Sequence, residues 1–132
     1  MSIDLEWEAL PEGKYDAAIH EVEFRFGAST SMVIIWRALY RGREYFVDDW
    51  VTLDAPKTSS SYQRTAQGKG RIKQILAAYN EKMPVKIEPD DLVATLVGKS
   101  LRIVVTHKMV NGLSVPKVSN ILGKAETPLG TP

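Results

Sequence analysis

Apolar and polar residues alternate from Lys14 onward. Tyr15, Ala17 and Ile19 share one side, and after His20-Glu21 the apolar positions move by one to Val22, Phe24 and Phe26. Successive strand side chains point to opposite faces, so this slip predicts a long strand bent by a β-bulge near His20. Gly27 to Ser31 reads as a loop. Met32 to Tyr40 and Glu44 to Leu53 are two further alternating runs, joined by a tight turn at Arg41-Gly42-Arg43. Together they predict three antiparallel strands in meander.

Downstream the period changes. Residues 54–70 are polar and predict a long mobile loop with a helical turn near Tyr62. Ile72, Ile75, Leu76 and Tyr79 recur at helical spacing, which predicts an amphipathic helix over Arg71 to Lys82, stopped by Pro84. Glu88-Pro89-Asp90-Asp91 opens a short second helix, Leu92 to Val97, that ends at Gly98. Leu101, Ile103 and Val105 mark a fourth strand, and Asn111-Gly112 is a strong hairpin-turn pair. Leu113 to Ile121 is the fifth strand, with Pro116 pointing to an edge or a bulge. Three strands, a helical insert and a closing hairpin predict a mainly β fold: a five-stranded OB-fold Greek-key barrel with the insert between strands three and four. An immunoglobulin-like sandwich would need seven strands and no central helix. The expected organisation is an acidic leader over 1–10, one domain over 11–123 and a short disordered tail over 124–132.

A chain of 132 residues can bury a core without covalent staples. It has no cysteine, which excludes disulfides, thiolate chemistry and cysteine-based zinc sites. No apolar run reaches membrane-spanning length, and the first residues carry no export signal, so no membrane role and a cytoplasmic location are expected. The formal net charge is only +1, but it is unevenly spread. Residues 1–23 hold seven acids and one lysine, whereas residues 24–86 hold eleven Lys/Arg and five acids. An acidic leader before a basic middle can support a local positive groove on a nearly neutral protein.

The stretch Trp36 to Trp50 concentrates five of the eleven aromatic residues and three arginines. Rings on which bases stack and cations that meet phosphates are the requirements of a single-strand binder. On strand two, Met32, Ile34, Trp36, Ala38 and Tyr40 form a wholly apolar or aromatic face, so Trp36 reads as core, and Trp36 and Tyr40 would stack bases only if exposed. The opposite face carries Arg37 and Arg41 outward. On strand three, Val47, Val51 and Leu53 share the core phase, which places Phe46 and Trp50 on the outer surface near those arginines. The alternative is that Phe46 and Trp50 pack beneath the long loop or helix. Tyr62, Arg64, Lys69, Arg71 and Lys73 form a second basic group around that loop, and Arg43, Lys108 and Lys117 complete the candidate phosphate contacts.

Four segments together resemble a known family. Pro11-Glu12-Gly13-Lys14-Tyr15, Arg41-Gly42-Arg43 opening strand three, Gly70-Arg71-Ile72-Lys73 opening a helix, and Leu96-Val97-Gly98-Lys99-Ser100-Leu101 running into a strand are similar in order and spacing to small phage and prophage proteins. These belong to replication and recombination modules and are taken to be OB-fold single-stranded DNA-binding proteins. The resemblance covers residues 9–122. It implies a chain that coats single-stranded DNA, with RNA as an alternative strand, in the cytoplasm of a phage host. Replication or recombination proteins would be its partners, and self-association is open. The segment after Gly123 has a single acid, Glu126. It therefore departs from the acidic, hydrophobically tipped tail with which bacterial single-stranded DNA-binding proteins recruit partners.

Other motifs do not hold. Gly98-Lys99-Ser100 imitates the end of a phosphate-binding loop, but Val93 stands where the first glycine is required, and the order is helix to strand. His20 and His107 have no metal-ligand spacing. Asp48-Asp49 with Asp54 nearby lacks the further acids of a two-metal site. No cofactor, metal or enzymatic activity is expected. The leading expectation is sequence-independent binding of single-stranded DNA. The rival is an OB-type interaction or structural module of a phage replication complex or virion, without DNA affinity of its own.

Overall fold

The computed structural model describes residues 1–129. The elements run β1 (Gly13–Arg25), β2 (Thr30–Tyr40), β3 (Arg43–Asp54), α1 (Arg64–Ala78), α2 (Pro89–Leu96), β4 (Ser100–Val110) and β5 (Leu113–Lys124). All five strands belong to one antiparallel sheet in the order β3-β2-β1-β4-β5. Strands β3 and β5, at the two ends of that order, also approach each other.

The phase slip in β1 is a real irregularity. Its pairing with β2 shifts between Ile19 and Glu21, so both Ile19 and Val22 face the core. The backbone groups freed there are not left bare. Ile19 N–H donates to Lys99 O at 2.8 Å, and Ile19 O accepts from Gly98 N–H at 2.9 Å. The bulge thereby anchors the exit of α2. The β2–β3 and β4–β5 hairpins each close on two consecutive positive φ angles, 53° and 74° at Arg41-Gly42 and 49° and 83° at Asn111-Gly112. That turn matches the twist of the flanking strands.

The core lies on one face of the sheet. Ala17, Ile19, Met32, Ile34, Trp36, Val47, Leu101, Ile103 and Val105 are almost wholly removed from water there. Leu92 and Leu96 of α2 join them, as do Ile72, Ile75 and Leu76 of α1. Alternation in the strands supplies one apolar face each, and the helices cover what the strands leave open.

Helix α1 differs from its sequence expectation at both ends. It begins at Arg64, so residues 64–70, expected within a mobile loop, form its first turns. Two glycines make that stretch look irregular. Gly68 is there because the helix backbone lies directly on β3: a Cβ on it would overlap the Thr52 carbonyl. The helix also stops before Lys82. Asn80 adopts φ 56°, its N–H donates to Ala77 O, and Glu81 N–H donates to Leu76 O. This left-handed C-terminal cap ends the helix ahead of Pro84.

Residues expected to form a disordered tail are held as far as Leu129. Ala125 N–H donates to Ser100 O, Glu126 and Thr127 N–H donate to the two Asp16 carboxylate oxygens, and Leu129 N–H donates to Ser100 Oγ. These bonds hold the Asp16 carboxyl below its ordinary range against the opposing effect of burial, with Arg102 adding to them. Residues 130–132 of that expected tail lie outside the described residues.

Candidate nucleic-acid interface

The outer face of β3 carries the candidate site. Alternation sends Val47, Asp49 and Val51 inward, and Phe46, Asp48 and Trp50 outward. Phe46 is 51% exposed and Trp50 is 56% exposed, large values for such side chains. Trp36, across the sheet from Val47, is fully buried and belongs to the core. Tyr40 is half-buried, with its ring edge-on to Tyr15 and Tyr45 and Arg41 over one face.

Phe46 and Trp50 border a cleft of about 270 Å³ with Asp48, Lys108 and Pro116, and Trp7 of the leader forms another wall. Among the described residues, none of these three rings contacts another. His20, at the β1 bulge, tilts against Phe46 with ring centres 5.0 Å apart. The Arg25 guanidinium sits 5.9 Å from the Trp50 ring centre. Open ring faces beside a cation can accept a flat partner.

The cations divide into two groups. Arg37, expected outward, is buried at 5% exposure and pairs with Glu44 at 3.6 Å. Val33, four residues earlier on the same face of β2, is also buried, whereas Leu39 is exposed. Arg43 meets Glu8 at 2.7 Å and lies over the Tyr45 ring. Arg71, placed by sequence among phosphate contacts, turns inward instead. Its Nε lies 3.4 Å from Asp49 Oδ2, and a terminal guanidinium nitrogen donates to Val118 O at 3.1 Å, tying α1 to β3 and β5. Arg25 pairs with Glu23 at 2.9 Å.

The others differ in lacking such pairs. Arg41, Arg64, Lys69, Lys73, Lys108 and Lys117 are exposed and make no ion pair among the described residues. Lys108 lines the aromatic cleft, and Arg64 lines a second cleft that shares Trp50 and runs along α1. Tyr62, 40% exposed, precedes that helix, and its carbonyl accepts from the Thr65 hydroxyl at 2.6 Å. Lys69 and Lys73 ride on α1 itself. Arg41 stands apart: it sits at the β2–β3 hairpin, nine residues along from Trp50, and its guanidinium rests on Tyr40.

The face is not uniformly positive. Glu21 and Glu23 of β1 pair with Ile35 and Val33 and so share the outer surface with Asp48. A hydrogen bond donated to neighbouring Glu23 pushes the Glu21 carboxyl up, while Arg25 draws that of Glu23 down. Asp48 and Asp49 face opposite sides of β3 and cannot share an ion. Asp49 is buried. Its carboxyl is pushed up by desolvation, which the Arg71 charge and the Trp36 indole N–H only partly offset. No helix among the described residues is long and apolar enough to cross a membrane.

Sequence reasoning missed two contributors. Trp7 hides among acids in a segment read as leader. Its signal was a lone large ring in an otherwise polar stretch. Arg25 follows the phase slip, and counting alternation past the bulge places it on the outer face. In comparisons with known proteins, no family model matches the chain and no curated protein is significantly similar to it.

Proposed function

We propose that this chain is an OB barrel that binds single-stranded DNA through the outer face of β3, without strong sequence preference. The barrel reading is supported by the strand order, by the approach of β3 to β5, and by two helices that intervene between β3 and β4. The binding reading rests above all on Trp50 and Phe46, two rings more than half exposed on one strand beside a cleft that holds Lys108. Bases stack on such rings whatever their identity, because every base has a π-face. Phosphates would meet Lys108, which lines the aromatic cleft, Arg64, which lines the neighbouring cleft with Trp50, and Lys69 and Lys73 of the flanking helix. With the resemblance to phage replication and recombination proteins, the task is coating and protecting unwound strands. The role is one of binding rather than catalysis.

A mobility shift with a labelled oligothymidylate tests this. Binding should weaken as salt rises, by about 0.7 in the log–log slope per phosphate neutralised. Trp50→Ala should lose about 1–3 kcal/mol of affinity. Absence of binding at low salt would remove the reading.

The carboxylates of Glu21, Glu23 and Asp48 favour a second reading, docking of a protein partner on the same apolar face. Those acids repel phosphates and suit a cationic surface.

A further inference from the structure

Trp7 is fixed in place yet left open. Its indole N–H donates to Ser114 O at 2.7 Å, while the side chain stays 53% exposed. A tryptophan that serves only to fill space buries its rings, because burial is where the free energy lies. Here the polar edge is tethered, and the ring borders the cleft of Phe46 and Trp50.

The rest of the leader explains how the ring is held. Leu10 is fully buried, and its carbonyl lies 2.7 Å from His107 Nε2. Glu8 reaches β3, where its carboxylate meets Arg43 at 2.7 Å and accepts from the Tyr45 hydroxyl at 3.1 Å. Trp7 then bonds to β5. Three successive anchors, to β4, β3 and β5, bring the leader over the cleft. Of the two acids adjacent to Trp7 in the chain, Glu6 and Glu8, Glu8 is paired with Arg43, so part of the leader's charge is neutralised where a phosphate would pass.

We infer that Trp7 is a third base-stacking residue of the single-strand site, and that the leader is a built part of that site. This rests on the nucleic-acid reading above. It goes beyond it in assigning a ligand contact outside the sheet, on a segment whose overall charge has the wrong sign for DNA.

The test is a mobility shift of the full chain with oligothymidylate at low salt, comparing wild type with Trp7→Ala, Trp7→Phe, Trp7→Leu and Trp50→Ala. Trp7→Ala should weaken binding by about fivefold or more, the lower end for one base–aromatic stack. Phe should restore more of the loss than Leu, because it keeps a π-face. Circular dichroism and the unfolding midpoint should stay near wild type, since one exposed side chain changes. Unchanged affinity in Trp7→Ala, or equal rescue by Leu and Phe, would overturn the inference. Tighter binding in Trp7→Ala would overturn it too, and would make the leader a competitor for the cleft. If wild type binds and Trp50→Ala weakens it while Trp7→Ala does not, this inference alone falls. If wild type does not bind, the underlying reading falls with it.

Discussion

Arg71 Nε lies 3.4 Å from Asp49 Oδ2, and the same carboxylate oxygen accepts the Trp36 indole N–H at 3.3 Å. One buried acid thus joins the helix flanking the site to the largest side chain of the core. Burial pushes the Asp49 carboxyl above its ordinary 3.8. The folded chain therefore holds this proton to higher pH than the unfolded chain does. The stability from that preference is fully present below about pH 4 and is lost as pH rises through the raised value. Asp49→Asn keeps an acceptor for Trp36 and removes the titration. In denaturant unfolding, wild-type stability relative to Asp49→Asn should fall as pH rises above about 4. A constant difference would contradict this. Asp49→Ala, which strands a largely buried guanidinium, should cost about 3 kcal/mol.

Two glycines on α1, two residues apart, should respond with opposite signs. Gly68→Ala drives a Cβ into the Thr52 backbone and must push the helix off β3. A loss of about 1–3 kcal/mol or more is expected. Gly70 has open space where its Cβ would be. Gly70→Ala should therefore stabilise by about 0.5–1 kcal/mol through helix propensity alone. Thermal unfolding of the two variants decides it, and a shared sign would show that the helix does not pack as described.

Salt dependence separates solvent-facing cations from structural ones. Lys108→Ala should lower the log–log salt slope of strand binding by about 0.7 with little change in stability. Arg37→Ala should instead lower stability, because its buried side chain leaves Glu44 without its partner. A salt slope that drops in Arg37→Ala and not in Lys108→Ala would invert this assignment.

Asp48 stands between Phe46 and Trp50 on the outer face of β3, where its charge opposes a phosphate backbone. Asp48→Asn should tighten single-strand binding about threefold, the effect of one like charge some ~6 Å away in water. A cationic protein partner would respond the other way, so weaker binding of such a partner in this variant would favour the docking reading.

Much of the sheet was legible in the sequence because strand faces follow a period of two. The β1 bulge and the outward placement of Phe46 and Trp50 follow from counting alternation, and the last hairpin from its Asn111-Gly112 pair; the turn expected over Arg41-Gly42-Arg43 is one residue shorter, because Arg43 opens β3. What alternation cannot tell is whether a second face is also covered. Arg37 has the right phase for the surface, yet it is buried beside Glu44. Helix α1 was found but misplaced, because Gly68 reads locally as a breaker when its cause is a long-range contact with Thr52. Arg71 and Arg43 looked like free cations for the same reason. Their partners, Asp49 and Glu8, stand 22 and 35 residues away. Pairing at that separation leaves no periodic trace.

The most direct test follows tryptophan fluorescence during titration with unlabelled oligothymidylate. Trp36 is sealed in the core and should stay silent, leaving Trp50 and Trp7 to report. The expected result is quenching at low salt that is reversed by added salt and is much reduced in Trp50→Phe. No quenching and no mobility shift at low salt would contradict a single-strand site on the outer face of β3.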